Sequence, residues 1–378
     1  MSYDRPVEPD PADTGVGKSF ADPSYTECLP LFPTIDHADR GSNTMTLFHH
    51  KTLTTTLLCG SLLISNSAWA EQAELNVYTY QSFLSDWGPG PKLEAAFEAQ
   101  CDCDLQFIAV EDGVSILNRL RIEKTRSKAD VILGIDNALL EEARNTDLIA
   151  EHGVDTTALK AELAWDDTQF VPFDYGYFAF IYDSENITKP VNSLQALVAS
   201  EASVIYQDPR TSTPGQGLLL WMQSVYGDDT AAAWQQLAQH TVTVTKGWSE
   251  AYSMFLEGGA DYVLSYSTSP AYHRVSENET RYQAALFEEG HIAQIEVAAR
   301  LKHSEQPELA QQFLTFLISP EAQAILPVTN WMLPVIDGVD LPDAFNTLIQ
   351  PKRLAIDPET VAAKRSAWLK IWRRAAAR

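Results

Sequence analysis

From residue 73 to residue 149 the chain alternates short apolar runs with longer amphipathic ones, and few architectures satisfy that rhythm. AELNVYTY (73 to 80) reads as a strand, and Pro91 opens the amphipathic helix PKLEAAFEAQ, which ends near Cys101. DLQFIAV (104 to 110) is a second strand, after which Asp112 and Gly113 turn into VSILNRLRIEK, with Ile116, Leu117 and Leu120 on one helical face. ADVILGID (129 to 136) is continuously apolar, as a strand buried on both faces must be, and the helical run ALLEEARNTDLIA follows it. Strands and helices alternating at this spacing predict an α/β fold with a parallel sheet covered on both sides.

FVPFDYGYFAFIYD (170 to 183) breaks the rhythm with a long aromatic extended run, suited to crossing between two lobes. A second α/β series follows. It has a helix near 193 to 200, a strand at 203 to 207, helices at 216 to 226 and 230 to 239, and a strand at 241 to 245. A helix at 249 to 257 and a strand at 261 to 267 complete it. AQIEVAARL (293 to 301) begins another strand, and PELAQQFLTFLISPEAQAIL supplies further helices. The expected arrangement is two α/β lobes joined by more than one crossover. Residues 71–175 and 275–378, with the C-terminal helices, make lobe 1, and 176–274 make lobe 2.

Before these lobes, Met45 begins a plausible second start. MTLFHHK, the apolar LTTTLLCGSLLI and SNSAWA have the layout of a secretory signal cleaved after Ala70. Residues 1–44 are rich in Pro and Asp and lack periodicity, so translation from Met45 is expected, with 1–44 a non-native extension. The full chain carries a net charge of −24, and setting aside the 8 acidic and 4 basic residues of 1–70 leaves −20. That surface repels nucleic acid and favours the approach of a small cation. Cys101 and Cys103, in QCDCD, are the cysteines left in the exported chain. They are compatible with a small disulfide or with free thiols, and a C-x-C pair without a nearby His is a poor metal site.

Common catalytic signatures are missing: there is no G-x-S-x-G, H-E-x-x-H, Walker loop or G-x-G-x-x-G. What stands out is a set of strand-to-helix junctions carrying small polar and aromatic residues. They are YTYQSFLSDWGPGP, EDGVS and GIDNA in the first series, and QDPRTSTPGQG, TKGWSEAY and LSYSTSPAY in the second. Ligands of open α/β sheets bind at the carboxyl ends of strands, so two such edges facing each other would make a cleft. In RTSTPGQG, Pro214 suits a first helical turn after a Ser or Thr cap, and Ser212, Thr213 and the free N–H groups could cradle an anion or merely cap the helix. Arg210 could add charge or pair with Asp208. Trp248, expected in a loop before a helix capped by Ser249, offers a face for a flat or cationic ring, or packs between lobes. Tyr266, Ser267, Thr268 and Ser269 end a strand with hydroxyls; Tyr80, Trp87 and Trp331 are weaker candidates. Asp112 could neutralise a cation or simply cap its helix.

These strings, in this order, resemble the periplasmic thiamine-binding proteins of ABC-type vitamin importers. The likeness runs over nearly all of 74 to 378 and is dense at VYTYQSFLSDWGPGP, EDGVSILNRLR, VPFDYGYFAF, VIYQDPRTSTPG, GLLLWMQSVYGDD, TVTVTKGWSEAY, LSYSTSPAYH and NWM. It implies a type II periplasmic-binding-protein fold that closes about a hinge on thiamine, thiamine phosphate or thiamine diphosphate, without cofactor or catalysis. It also implies delivery to an inner-membrane permease with its ATPase. Carried over by motif, the implied ligand contacts are Asp112, Gly113, Ser212, Thr213, Trp248, Tyr266, Ser267, Thr268 and Ser269. Tyr80 and Trp331 are weaker, and no metal site is implied. In that scheme the RTST helix start and the SYSTS hydroxyls hold phosphate, while the aromatics and Asp112 suit the flat cation.

Two other functions remain compatible with the fold. A thiaminase I-like enzyme would need Cys101 or Cys103 as nucleophile with an acid such as Glu250 in the cleft. A ferric-ion-binding protein would need paired tyrosines with carboxylates.

Overall fold

The computed structural model describes residues 72–355 and 357–376, so the expectations for 1–44 and 45–70 lie outside the described residues. The strands are β1 (Ala73–Tyr80), β2 (Cys103–Val110), β3 (Val131–Asp136), β4 (Val171–Asp183), β5 (Val204–Gln207) and β6 (Thr241–Thr245). They continue with β7 (Tyr262–Tyr266), β8 (Tyr282–Ala284), β9 (His291–Arg300), β10 (Leu333–Pro334) and β11 (Arg353–Leu354). The helices are α1 (Gly90–Cys101), α2 (Gly113–Glu123), α3 (Leu140–Arg144), α4 (Leu194–Ala199), α5 (Thr213–Tyr226) and α6 (Thr230–Leu237). They continue with α7 (Trp248–Leu256), α8 (Ser269–Tyr272), α9 (Pro307–Leu317), α10 (Pro320–Ile325) and α11 (Pro358–Ala376).

The strand order is β2-β1-β3-β9-β4-β7-β5-β6. Each end of this order is a parallel triplet, β2-β1-β3 and β7-β5-β6, as the alternating sequence predicts. Between them run β9 and β4, antiparallel to each other and to the triplet strands they meet. The aromatic run at 170 to 183 is β4. Its first part pairs with β9 and its last part with β7 and β8, so one strand belongs to both halves. Burial on both faces explains its composition: Phe173, Phe178, Phe180 and Ile181 are fully covered.

Each half has its own apolar core. Val77, Ile132, Phe173 and Phe313 belong to the first; Phe180, Tyr206, Trp221 and Trp234 belong to the second. Helices α9 and α10 cover the first half, consistent with a return of the chain after β9. The C-terminal helix α11 does not stay there, which corrects the grouping expected for 275–378. Trp372 and Ala375 join the second core, and Trp372 Nε1 donates to the Tyr206 hydroxyl at 3.1 Å. The reason is complementarity: α11 carries an apolar stripe, and the second half offers the aromatic surface of Tyr206 and Trp234 to receive it.

Two glycines are forced by close approach. Gly134, within β3, has φ +105°, and a Cβ there would lie 2.4 Å from the Tyr80 ring. The β3–β9 register shifts between Leu133 and Ile135, so Gly134 is the kink that lets Tyr80 lie flat against the strand. At Gly113 a Cβ would lie 2.3 Å from the Gly134 carbonyl oxygen and 2.3 Å from Thr213 Oγ1. The start of α2 therefore presses directly on both β3 and α5. Gly134→Ala should lower stability by about 1–3 kcal/mol in denaturant unfolding, because neither the backbone nor the buried Tyr80 ring can yield. An unchanged unfolding midpoint would contradict this packing.

Candidate functional site

The carboxyl ends of β1, β2, β6 and β7 converge on a cavity of about 500 Å³. Its walls include Tyr80, Trp87, Asp112, Trp248, Tyr252 and Tyr266, and Thr268, Ser269, Glu296, Asn330 and Trp331 complete them.

Asp112 organises one side. It is the cap of α2 and accepts from Gly113 N at 2.6 Å, from Thr213 N at 3.3 Å and from Ser212 Oγ at 2.7 Å. The Trp248 backbone N–H donates to it as well. Gly113, Thr213 and Trp248 are the first residues of α2, α5 and α7, so three helix N-termini meet at one carboxylate. Burial pushes this carboxyl upward, and the hydrogen bonds from Ser212, Gly113, Thr213 and Trp248 oppose that push.

An anion cradle at RTSTPGQG therefore exists, but the chain fills it with its own Asp112. Ser212 is the N-cap residue of α5, yet its hydroxyl serves Asp112 rather than the helix. Thr211 Oγ1 donates to the Lys246 carbonyl at 2.7 Å, and Arg210 pairs with Asp208 at 2.5 Å. Ser212 and Thr213 are buried and do not line the cavity; neither does Gly113.

The other predicted residues divide as follows. Trp248 is not in a loop: it starts α7 with Gly247 as its cap, and its ring stacks on Tyr252 at 4.9 Å. Its Nε1 donates to Ser265 Oγ at 2.7 Å, and Ser265 Oγ lies 2.8 Å from Ser269 Oγ. Trp87, 46% exposed, meets Trp248 edge-on at 6.1 Å. Tyr266, Thr268 and Ser269 reach the cavity, whereas buried Ser267 faces a separate pocket beside Tyr177. On the opposite wall Trp331 meets Tyr272 edge-on at 5.4 Å, held by a left-handed backbone with φ 57°. A bulky side chain in that conformation is strained, and Asn330 beside it is fastened to the cavity floor.

That floor was not anticipated. Asp174 on β4 and Glu296 on β9 stand opposite each other in the ladder, and Asn330 Nδ2 reaches both, 2.6 Å from Asp174 Oδ2 and 3.4 Å from Glu296 Oε2. Tyr80 OH donates to Glu296 Oε2 at 2.9 Å, and Gln294 Nε2 to Glu296 Oε1 at 2.7 Å. Burial raises both acids, with the Asp174 charge adding to the rise at Glu296; Asp174 is pushed up to about 7. The sequence did hold a signal: a lone Glu inside AQIEVAARL is a charge within a strand that is otherwise buried and almost wholly apolar. Tyr252 was also missed, because its spacing on α7 reads as core. Its hydroxyl contacts His273 Nε2 at 2.8 Å, and His273 Nδ1 contacts Glu277 at 2.6 Å.

Cys101 and Cys103 are joined by a disulfide, and neither lines the cavity. The arrangement required of a cysteine nucleophile facing Glu250 is thus absent from this site. Among the described residues, no group of three or more His, Cys, Asp or Glu is placed to hold a metal ion. No helix among them is long and apolar enough to cross a membrane.

Two parallel triplets bridged by antiparallel crossing strands, with a cleft at the strand ends, define a type II periplasmic binding protein. The family described as "Bacterial extracellular solute-binding protein" matches residues 91–327, and the chain belongs to it. A curated relative, the thiamine-binding periplasmic protein of Salmonella typhimurium, is 56% identical over 320 residues, covering 84% of this chain and 97% of the relative. A solved structure, "Periplasmic thiamin binding protein", is 56% identical with a TM-score of 0.79, covering 81% of this chain and 97% of that one. A ferric binding protein from Campylobacter jejuni has a TM-score of 0.67 at 18% identity, covering 80% of this chain and 99% of that one, and shares the fold alone. The protein is a solute-binding component and not an enzyme.

The buried pair has a stability signature. With the folded Asp174 carboxyl held near about 7 rather than 3.8, the folded state binds more protons than the unfolded chain between those values. This contribution therefore makes stability fall as pH rises from about 4 to about 7. Melting of the ligand-free protein at pH 5 and pH 8 should show a larger loss in wild type than in Asp174→Asn. An equal loss in both would remove the pair as its source.

Proposed function

We propose that the cavity captures thiamine, thiamine phosphate or thiamine diphosphate, and that the protein delivers it to an inner-membrane ABC permease and its ATPase. The observation that carries this reading is the pairing of a stacked aromatic wall with buried acids in one cavity. Trp248 lies on Tyr252, and Asp112 and Glu296 face the same space. A flat ring with a fixed positive charge satisfies both, since an aromatic face and a desolvated carboxylate each favour a cation. The names carried by the 56% identical relative and by the solved structure point to the same ligand. The net charge of −20 left after 1–70 would draw such a cation in.

In this reading Trp248, Asp112, Tyr266, Thr268 and Ser269 touch the ligand, with Tyr80 and Trp331 closing the cavity floor and far wall. Gly113, Ser212, Thr213 and Ser267 lie behind these and fix their positions. Lobe 1 supplies Asp112 and lobe 2 supplies Trp248, so ligand contacts both and favours the closed form by differential affinity. Signal cleavage after Ala70, with translation from Met45, would release the protein into the periplasm; the curated relatives carry periplasmic names.

Calorimetric titration with thiamine and each phosphate ester tests the reading. Trp248→Ala should cost about 2 kcal/mol, roughly thirtyfold in Kd. Absence of heat and of any melting shift with all three forms would reject the vitamin. Replacing Ser212 and Thr213 together by Ala should weaken thiamine and its esters alike, because the change removes the Ser212 hydroxyl from Asp112 while the Thr213 backbone N–H stays in place. A selective loss of the esters would instead put these residues on the phosphate.

A further inference from the structure

Glu296 and Asp174 form a buried acid pair at the cavity whose second carboxyl group aromatic stacking and the Asp112 anchor do not explain. Glu296 lines the cavity and is 5% exposed, while Asp174 behind it is fully buried. Two buried carboxyl groups facing each other across the ladder and sharing the Asn330 amide favour holding one proton between them, since two carboxylates offer acceptors only and repel. The surroundings supply too few donors to do without it. Asp174 Oδ1 is buried without a hydrogen-bond partner, and Gln294 Oε1 beside the pair is likewise unpartnered.

The groups facing the pair come from every packed element: Tyr80 from β1, Gln294 from β9 itself, and Asn330 from the segment before β10. Asp112, Asp136 and the Tyr266 hydroxyl lie farther out. No Lys, Arg or His is among the charges acting most strongly on either acid. Among the described residues neither acid has a salt-bridge partner, and the pair is open to the cavity on the Glu296 side.

We propose that Asp174 and Glu296 select for positive charge by exchange: the ligand-free pair shares a proton, and a cationic ligand seated against Glu296 expels that proton to solvent. This rests on the vitamin reading above and adds the residue pair that reads the ligand's charge. The O–H bond of the pair breaks, its electrons remain on the carboxylate, the proton leaves to water, and the thiazolium supplies the compensating charge. A neutral molecule of the same shape has nothing to offer in return and meets a floor already neutralised by one proton. The upward pKa shifts of both groups, caused first by burial, agree with a proton held at neutral pH.

The exchange is measured by titrating thiamine into the protein at pH 7 in phosphate and in Tris, whose ionisation enthalpies differ. The buffer dependence of the heat counts protons. Wild type should release about one-half to one proton more than Glu296→Gln or Asp174→Asn, a difference that removes any protonation change of thiamine itself. Wild-type affinity for thiamine should rise between pH 6 and pH 8, by at most about tenfold per pH unit for one proton, and should flatten in Glu296→Gln. Infrared spectra of the ligand-free protein should show the carbonyl stretch of a protonated carboxylic acid that disappears in both variants. Thiamine that binds with equal proton counts in wild type and variants, or wild type lacking that band, overturns the exchange and leaves the vitamin reading intact. Failure of thiamine to bind wild type overturns both.

Discussion

One buried carboxylate holds the arrangement together. Asp112 accepts hydrogen bonds from the first residues of α2, α5 and α7 and from the Ser212 hydroxyl. Free N–H groups at a helix start are costly to bury unpaired, and three such starts directed at a common point would leave several donors without acceptors. A single anion satisfies them and is favoured by the helix dipoles. Because α2 belongs to the first strand triplet and α5 and α7 to the second, the same contact joins the two halves at the cavity. Gly113 makes the approach possible, since any Cβ there would strike both the β3 carbonyl and Thr213.

Fixing Asp112 in this way fixes what the cavity can offer. The carboxylate is anchored from behind and needs no ligand to keep its place. Trp248, as the residue whose N–H completes the anchor, brings its ring to the same wall, where Tyr252 stacks behind it. Across the cavity, the left-handed backbone of Trp331 and the Asn330 amide tied to Asp174 set the opposite face. Strain of this kind persists only where the neighbours over-determine it, and β4, β9 and Tyr80 do so here. Burying Asp174 and Glu296 between the crossing strands is unfavourable for folding alone, which is why the pair is better understood through binding than through stability.

Much of the fold was legible in the residues. Short strand-like runs alternating with amphipathic ones marked β1 to β3 and β5 to β7, and the aromatic run at 170 to 183 marked the strand shared by both halves. Apolar periodicity carries that information locally, so no distant contact is needed to read it. The course of α11 was not legible: its Trp368, Trp372 and Ala375 stripe fits any apolar surface, and only the packed positions of Tyr206 and Trp234 choose the second half. In the site, loop chemistry identified Asp112, Trp248, Tyr266, Thr268 and Ser269 as residues of one cavity. It grouped Ser212, Thr213 and Ser267 with them because a hydroxyl at a strand end reads the same whether it points outward or inward.

The sequence by itself determined the alternation of strands and helices, the positions of the strand ends and the chemical character of their loops. Each follows from a few neighbouring residues and the repeat of the backbone. Only the tertiary structure decided where each polar group points. It turned an expected phosphate cradle into the seat of Asp112, bridged Cys101 to Cys103 away from the cavity, and brought Asp174 and Glu296 face to face. Those outcomes depend on the register between β4 and β9 and on the meeting of three helices far apart in the chain. Hydrogen bonds and buried charges act over a few ångströms of space, whatever the separation along the sequence.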